Sequence, residues 1–332
     1  MIWFTWRQFR TPAVVAAGAL AVLAAVLLVN GNAITDLYAS VAACQSDCGN
    51  TVDAFLTRFF HNSAGGTIYY TTLAIMYAAP PLIGLFWGAP LVARELEAGT
   101  HRLAWNQSIT RTRWLATKLA LVGAATAAAT GLLSWAVTAW ASRVDGAAAD
   151  RITPLVFGAR GIVPIGYALF AFTLGVTAGM VVRRTVPAMA GTLAVYTAAV
   201  AAMPLWLRTH LAPATHVTPP LDMNNLDGLM IDQSNTMIVE PNDVTNAWTI
   251  TNRPITPSGQ VFTGPADPTK CGRQAPNGLC DDWVGTLGLR QDVVYHPDSQ
   301  YWTLQLAETA VFVGLAAALA IVSFWWLRRR LS

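Results

Sequence analysis

Residues 68–119 read IYYTTLAIMYAAPPLIGLFWGAPLVARELEAGTHRLAWNQSITRTRWLATKL. The run Ile68–Ala93 holds no charged residue. It is long enough for a helix to cross a hydrocarbon core of about 30 Å, which takes roughly 20 apolar residues. Charge then arrives in a compact block: Arg94, Glu95, Glu97, His101, Arg102, Arg111, Arg113 and Lys118. A second apolar run, Leu115–Ala141, follows. Two membrane helices joined by a charged connection explain this pattern, and the rest of the chain extends it.

Of the 332 residues, 54% are hydrophobic and 12% are charged. A soluble domain carries about 25% charged residues. The composition therefore excludes an ordinary soluble globule. It also excludes a disordered chain, which needs low hydrophobicity and high net charge. No basic patch interleaved with aromatics points to nucleic acid. Six runs are long enough to span: Pro12–Val29, Ile68–Ala93, Leu115–Ala141, Gly161–Val182, Thr185–Leu207 and Thr303–Leu327. Arg7 and Arg10 ahead of the first run also suit a signal peptide, but no clean small-x-small cleavage site follows.

Arginine and lysine set the orientation. With both termini in the cytoplasm, 12 of the 21 Lys and Arg fall inside with only Glu95 and Glu97, a net +10. The other nine face 15 acids outside, a net −6. Glu308 falls in the first turns of the sixth run, where the helix dipole favours an acid. The spans otherwise hold almost no ionisable groups. Cys44, Cys48, Cys271 and Cys280 all fall on the outer side, where disulfides persist. Local bridges Cys44–Cys48 and Cys271–Cys280 are the simplest of the three connectivities that four cysteines allow. Zinc is not expected, because no His pair sits at ligand spacing beside them.

The expected fold is an all-α polytopic membrane protein with six helices and an irregular, partly β extracytoplasmic domain between helices 5 and 6. Residues 1–11, with Ile2, Trp3, Trp6 and Phe9 on one face, suggest an amphipathic interfacial helix, the alternative being a short extension of the first span with aromatic anchors. Residues 12–207 hold spans one to five, with a cytoplasmic segment at 94–114. In the first outer loop, Val52–Phe60 suits a short helix. The stretch 208–302 carries 10 of the 18 prolines and β-like runs at Thr236–Val239, Trp248–Thr251 and Gln260–Phe262. Residues 303–332 form the sixth span and a basic tail. Pro80 and Pro81 should kink the second helix. Small residues at Gly123, Ala127 and Gly131, and at Gly175 and Gly179, permit close helix contact, within the chain or, as the alternative, at a dimer seam.

The chain has two lysines, and neither lies in a phosphate-cradling G-x-x-x-x-G-K-[ST] loop. Nothing matches H-E-x-x-H or G-x-S-x-G. The sequence offers no catalytic residue and no energy source of its own, so transport would need a partner. In the charged connection, Gly99 permits a break and Thr100–Gln107 a short helix. Ser108 or Thr110 can cap the next helix. Such a segment is a lever that a soluble partner can push.

The pattern R-E-x-E-x-G-T at 94–100, followed by R-x-R-W-L-x-x-K-L at 111–119, resembles the permease subunits of bacterial type-2 ABC exporters. The six spans, the amphipathic start and the large loop before the last span fit the same resemblance. Only about 30 residues carry the motif. The resemblance implies that Arg94, Glu95, Glu97, Gly99, Thr100, Arg102, Arg111 and Arg113 couple to a P-loop ATPase. It also implies that residues 1–11 are the family's connecting helix. Two ATPase copies, holding ATP and Mg, and a second permease chain in the cell membrane would complete the machine. The expected cargo is a hydrophobic or amphiphilic drug, lipid or lipid-linked compound. The long outer loop departs from the many members with short re-entrant helices there. It motivates the alternative of a mechanotransmission complex that moves nothing across.

Overall fold

All six apolar runs are helices long enough to cross a membrane: Phe9–Ala43, Ala64–Glu97, Arg111–Ala147, Val163–Val182, Thr185–His210 and Asp298–Arg330. The computed structural model describes every residue except 1, 47, 62, 100–109, 223–225, 232–236, 242–243, 265, 272–278 and 331–332. The chain divides into two compact units, Met1–Leu211 with Trp302–Ser332, and Ala212–Tyr301.

In the first unit the fourth span is the hub, with 67% of its apolar window buried, against 6% for the first span. The first helix runs unbroken from Ile2 to Ala43. The stretch 1–11 continues into the first span with no break at Pro12. Proline lacks only its own N–H, so one intrahelical bond is lost there and the neighbouring turns persist. The short helix expected at Val52–Phe60 spans Gly49–His61 and buries Phe55 and Phe59. These rings join Tyr69 and Trp140 in one core cluster.

Ser63 opens the second span, its hydroxyl accepting from the Gly65 N–H at 3.1 Å. Pro80 and Pro81 lie inside the helix and offer no N–H to the carbonyls of Met76 and Tyr77. Helix continues past both, and the irregularity comes immediately after. Gly84–Gly88 is a π turn, in which the Ala89 N–H reaches back five residues to the Gly84 carbonyl. A matching π turn, Met203–Leu207, follows Ala202 in the fifth span and contains Pro204. Extra residues of this kind widen a helix locally and leave backbone groups free to rearrange.

The first π turn is where the second and fourth spans meet backbone to backbone. A Cβ on Gly88 would lie 2.5 Å from the Phe172 carbonyl oxygen, and one on Gly84 2.7 Å from that of Ala171. A Cβ on Gly179 would lie 2.6 Å from the Ala89 carbonyl oxygen. Gly175 and Gly179 therefore seat the second span, within the chain. Gly123 and Gly131 of the third span also face the fourth, over the Phe172 ring and the Ile165 side chain, each at 3.6 Å.

The second unit holds β1 (Thr215–Val217), β2 (Leu226–Ile231), β3 (Met237–Pro241), β4 (Ala247–Ile255) and β5 (Arg290–Pro297). The antiparallel sheet runs in the order β1-β5-β4, and β2 and β3 form a separate hairpin. Register is set by Thr215 opposite Tyr295 and by Ala247 opposite Pro297, with an irregularity between Thr249 and Thr251. The expected runs Thr236–Val239 and Trp248–Thr251 fall on β3 and β4, apart from Thr236, which lies outside the described residues; Val261 bridges to Ile255. Val239, Ala266, Val284 and Leu289 form the core. Cys271 pairs with Cys280 in this unit, and Cys44 with Cys48 in the first.

Candidate functional site

The charged connection is anchored by its own carboxylates. The Lys118 ammonium, fully buried, donates to Glu95 Oε1 at 2.6 Å and to the Leu91 carbonyl at 3.0 Å. It also lies 4.7 Å from the Trp114 ring centre. This ties the end of the second span to the start of the third. Glu97 Oε2 accepts from the Thr185 hydroxyl at 2.9 Å and from the Thr185 N–H at 3.2 Å. An anion on the first free N–H groups of a helix satisfies them and complements the dipole. Glu97 therefore ties the same end to the fifth span.

The break falls where expected. The second span ends at Glu97, and Gly99 adopts a left-handed φ of +70°, which glycine takes without a Cβ penalty. Thr110 caps the third span, its hydroxyl accepting from the Arg113 N–H at 3.4 Å. Arg94 and Arg113 are exposed and Arg111 is half-buried. Thr100, Arg102 and the expected short helix lie outside the described residues.

At the other end of the same spans, two ion pairs are buried. Arg208 Nε donates to Glu308 Oε2 at 2.7 Å, and both side chains are 1% exposed or less. The Tyr167 hydroxyl donates to Glu308 Oε1, and Arg208 donates to the Pro154 carbonyl at 3.2 Å. Glu308 is thus a buried ion-pair partner joining the fifth and sixth spans, not a lone acid at a helix start. Arg160 Nε donates to Asp145 Oδ2 at 2.7 Å, and the Tyr69 hydroxyl donates to Oδ1 at 2.6 Å. Gln305, fully buried, accepts from the Ile162 N–H at 2.9 Å and donates to the carbonyls of Phe157 and Arg160. Three networks thus fasten residues 148–162 to spans two, three, five and six. Beside them Asp150 is half-buried, and one of its oxygens has no hydrogen-bond partner among the described residues. Burial, and then the neighbouring Asp145, push its carboxyl up to about 6.

Between these two ends lies an apolar groove of about 440 Å³. Tyr77 and Pro81 of the second span form one wall, and Tyr196, Val200 and Pro204 of the fifth form the other. Leu155 closes it, its carbonyl accepting from the Tyr77 hydroxyl at 2.8 Å. The Tyr196 hydroxyl is buried with no partner among the described residues.

Residues 17–208, more than half of the chain, match the family described as ABC-2 membrane transporter related. The chain belongs to this family. It is an ABC-2-type permease subunit, the membrane component of an ABC transporter, and the family implies an ATPase partner. The match ends just before the second unit begins at Ala212. No curated protein and no solved structure matches the chain.

Within this ABC-2-type subunit, the structure brings Glu95, Glu97, Gly99, Arg111 and Arg113 to one connection. Glu95 turns inward onto the buried Lys118, while Glu97 stays exposed and meets Thr185 at the surface. Lys118, Thr185, Asp145, Arg160 and Arg208 were not singled out as site residues from sequence. The signal was present in opposite charges at matching depth, such as Arg208 ending one span and Glu308 opening the next.

Proposed function

We propose that this ABC-2-type chain is the membrane half of an exporter, driven by separate P-loop ATPases that dock on the connection at 94–114. The observation that carries this reading is the double tie of that connection. Glu95 holds Lys118 on the third span and Glu97 holds Thr185 on the fifth. A push on one short segment thus reaches three spans. Arg102, Arg111 and Arg113 supply cations for the ATPase surface, and Gly99 lets the chain turn there. Both termini are cytoplasmic in this account, and the Ala212–Tyr301 unit lies outside the cell membrane. The assembly pairs two permease chains, identical or homologous, with two ATPases that carry the ATP and Mg. Hydrolysis belongs to those partners.

The proposed cargo is hydrophobic or amphiphilic: a drug, a lipid or a lipid-linked compound. The groove between the second and fifth spans supports this, because its walls are apolar and its polar groups are Tyr77, Tyr196 and Thr197. The test is purification of the full-length chain from native membranes. A P-loop ATPase should copurify, and Arg102→Ala should cut ATP turnover of the complex. A chain that purifies with no ATPase overturns the reading. The folded unit Ala212–Tyr301 favours one second reading, in which ATPase work rearranges that unit and nothing crosses. ATP-dependent movement of an amphiphile in reconstituted vesicles excludes it.

A further inference from the structure

A second cavity, of about 240 Å³, lies at the end of the spans that carries the connection. Phe9 and Pro12 of the first helix form one side, and Trp87, Pro90 and Leu91 of the second span form the other. Phe9 and Trp87 meet edge to face, with ring centres 4.8 Å apart. Trp87 belongs to the π turn. Two charged residues, Arg94 and Glu95, stand at the mouth. Glu95 is neutralised by the buried Lys118. Arg94 is exposed and makes no ion pair among the described residues. Arg7 and Arg10, both exposed, lie on the same turns of the first helix as Phe9 and Pro12.

We infer that this cavity binds one anionic phospholipid, with an acyl chain between the first and second spans and its phosphate on Arg94. Three features select that occupant. Away from Arg94 and Glu95 the lining is apolar, Phe9, Pro12, Trp87, Pro90 and Leu91, and belongs to helices long enough to span a membrane, so the neighbouring solvent is lipid. Among the described residues at the mouth, the one charge without an ion-pair partner is Arg94, a cation whose planar fork suits phosphate. A soluble phosphate would use the cation but leave the apolar walls without an occupant. The site then couples lipid composition to the second span at its π turn, about two helical turns from the glutamates that tie the connection. The inference rests on the membrane reading and is independent of what the subunit exports.

The test uses the full-length chain in nanodiscs of phosphatidylcholine with increasing phosphatidylglycerol, read by native mass spectrometry after release into mild detergent. One phosphatidylglycerol per chain should survive release, with phosphatidylcholine lost. Loss of a charge-assisted contact worth about 1.4 kcal/mol is tenfold. Arg94→Gln should therefore weaken retention about tenfold, and Arg94→Glu should abolish it. Arg253→Gln, in the second unit, should leave retention unchanged. Leu91→Trp, which fills the cavity without touching the charge, should displace the lipid too. Equal retention of both lipids, or unchanged retention in Arg94→Gln and Arg94→Glu, overturns the inference. A chain that keeps the lipid but copurifies with no ATPase would sink the exporter reading and leave this site standing.

Discussion

Lys118 has no exposure to solvent, and Glu95 is its ion-pair partner. Removing one partner of such a pair leaves an uncompensated buried charge, a loss of about 3–5 kcal/mol. Replacing both with apolar groups of similar size is close to neutral in the same terms. Glu95→Gln should therefore lower the melting temperature in detergent sharply, and Glu95→Met with Lys118→Met should recover most of it. A double variant as unstable as the single would show that the pair is not the source. Asp150 gives a test in pH. Its carboxyl sits at about 6, above the usual value near 4, so folding takes up a proton there. Its penalty is absent at low pH and grows as pH rises through about 6. Asp150→Asn should add about 1 kcal/mol at pH 8, after allowing for solvent screening, and little at pH 4. Thermal unfolding at the two pH values checks the sign.

At the scale of elements, the contact of the second and fourth spans depends on glycines with no room for a side chain. Gly84→Ala would bring a methyl to 2.7 Å from the Ala171 carbonyl oxygen, and backbone cannot swing aside as a flexible side chain can. The expected loss is about 3 kcal/mol or failure to fold. Gly191→Ala, with nothing within 4 Å, should change the melting temperature little. Maleimide labelling should find no free thiol before reduction and four after it. The six helices were legible because each apolar run exceeds the membrane thickness. Gly99 marked one end of the connection by cap chemistry, and the other was narrowed to Ser108 or Thr110, of which Thr110 is the cap. The π turns were not legible, since they arise from donors lost at prolines and from packing on Gly175, a tertiary event. β5 was missed as well. Its RQDVVYHP has a short apolar centre between charged and proline ends, and only pairing on both sides makes it a strand.

For the whole molecule, charge is sparse but arranged at two depths. One set, Glu95, Lys118 and Glu97, gathers three spans behind the connection. The other, Arg160–Asp145 and Arg208–Glu308, fixes the far ends of spans three, five and six. Composition suggested spans nearly free of ionisable groups; these pairs stay hidden in composition because each is neutral as a unit. The arrangement suits a block that moves together when one end is pushed, which is the work proposed for this ABC-2-type subunit. The docking claim is tested most directly by a photo-crosslinking residue in place of Arg113, in native membranes, with another in place of Gly259 for comparison. The account predicts an adduct of this chain with a P-loop ATPase from position 113 and none from position 259. Absence of any ATPase adduct from position 113, or an equal yield from both positions, would contradict it.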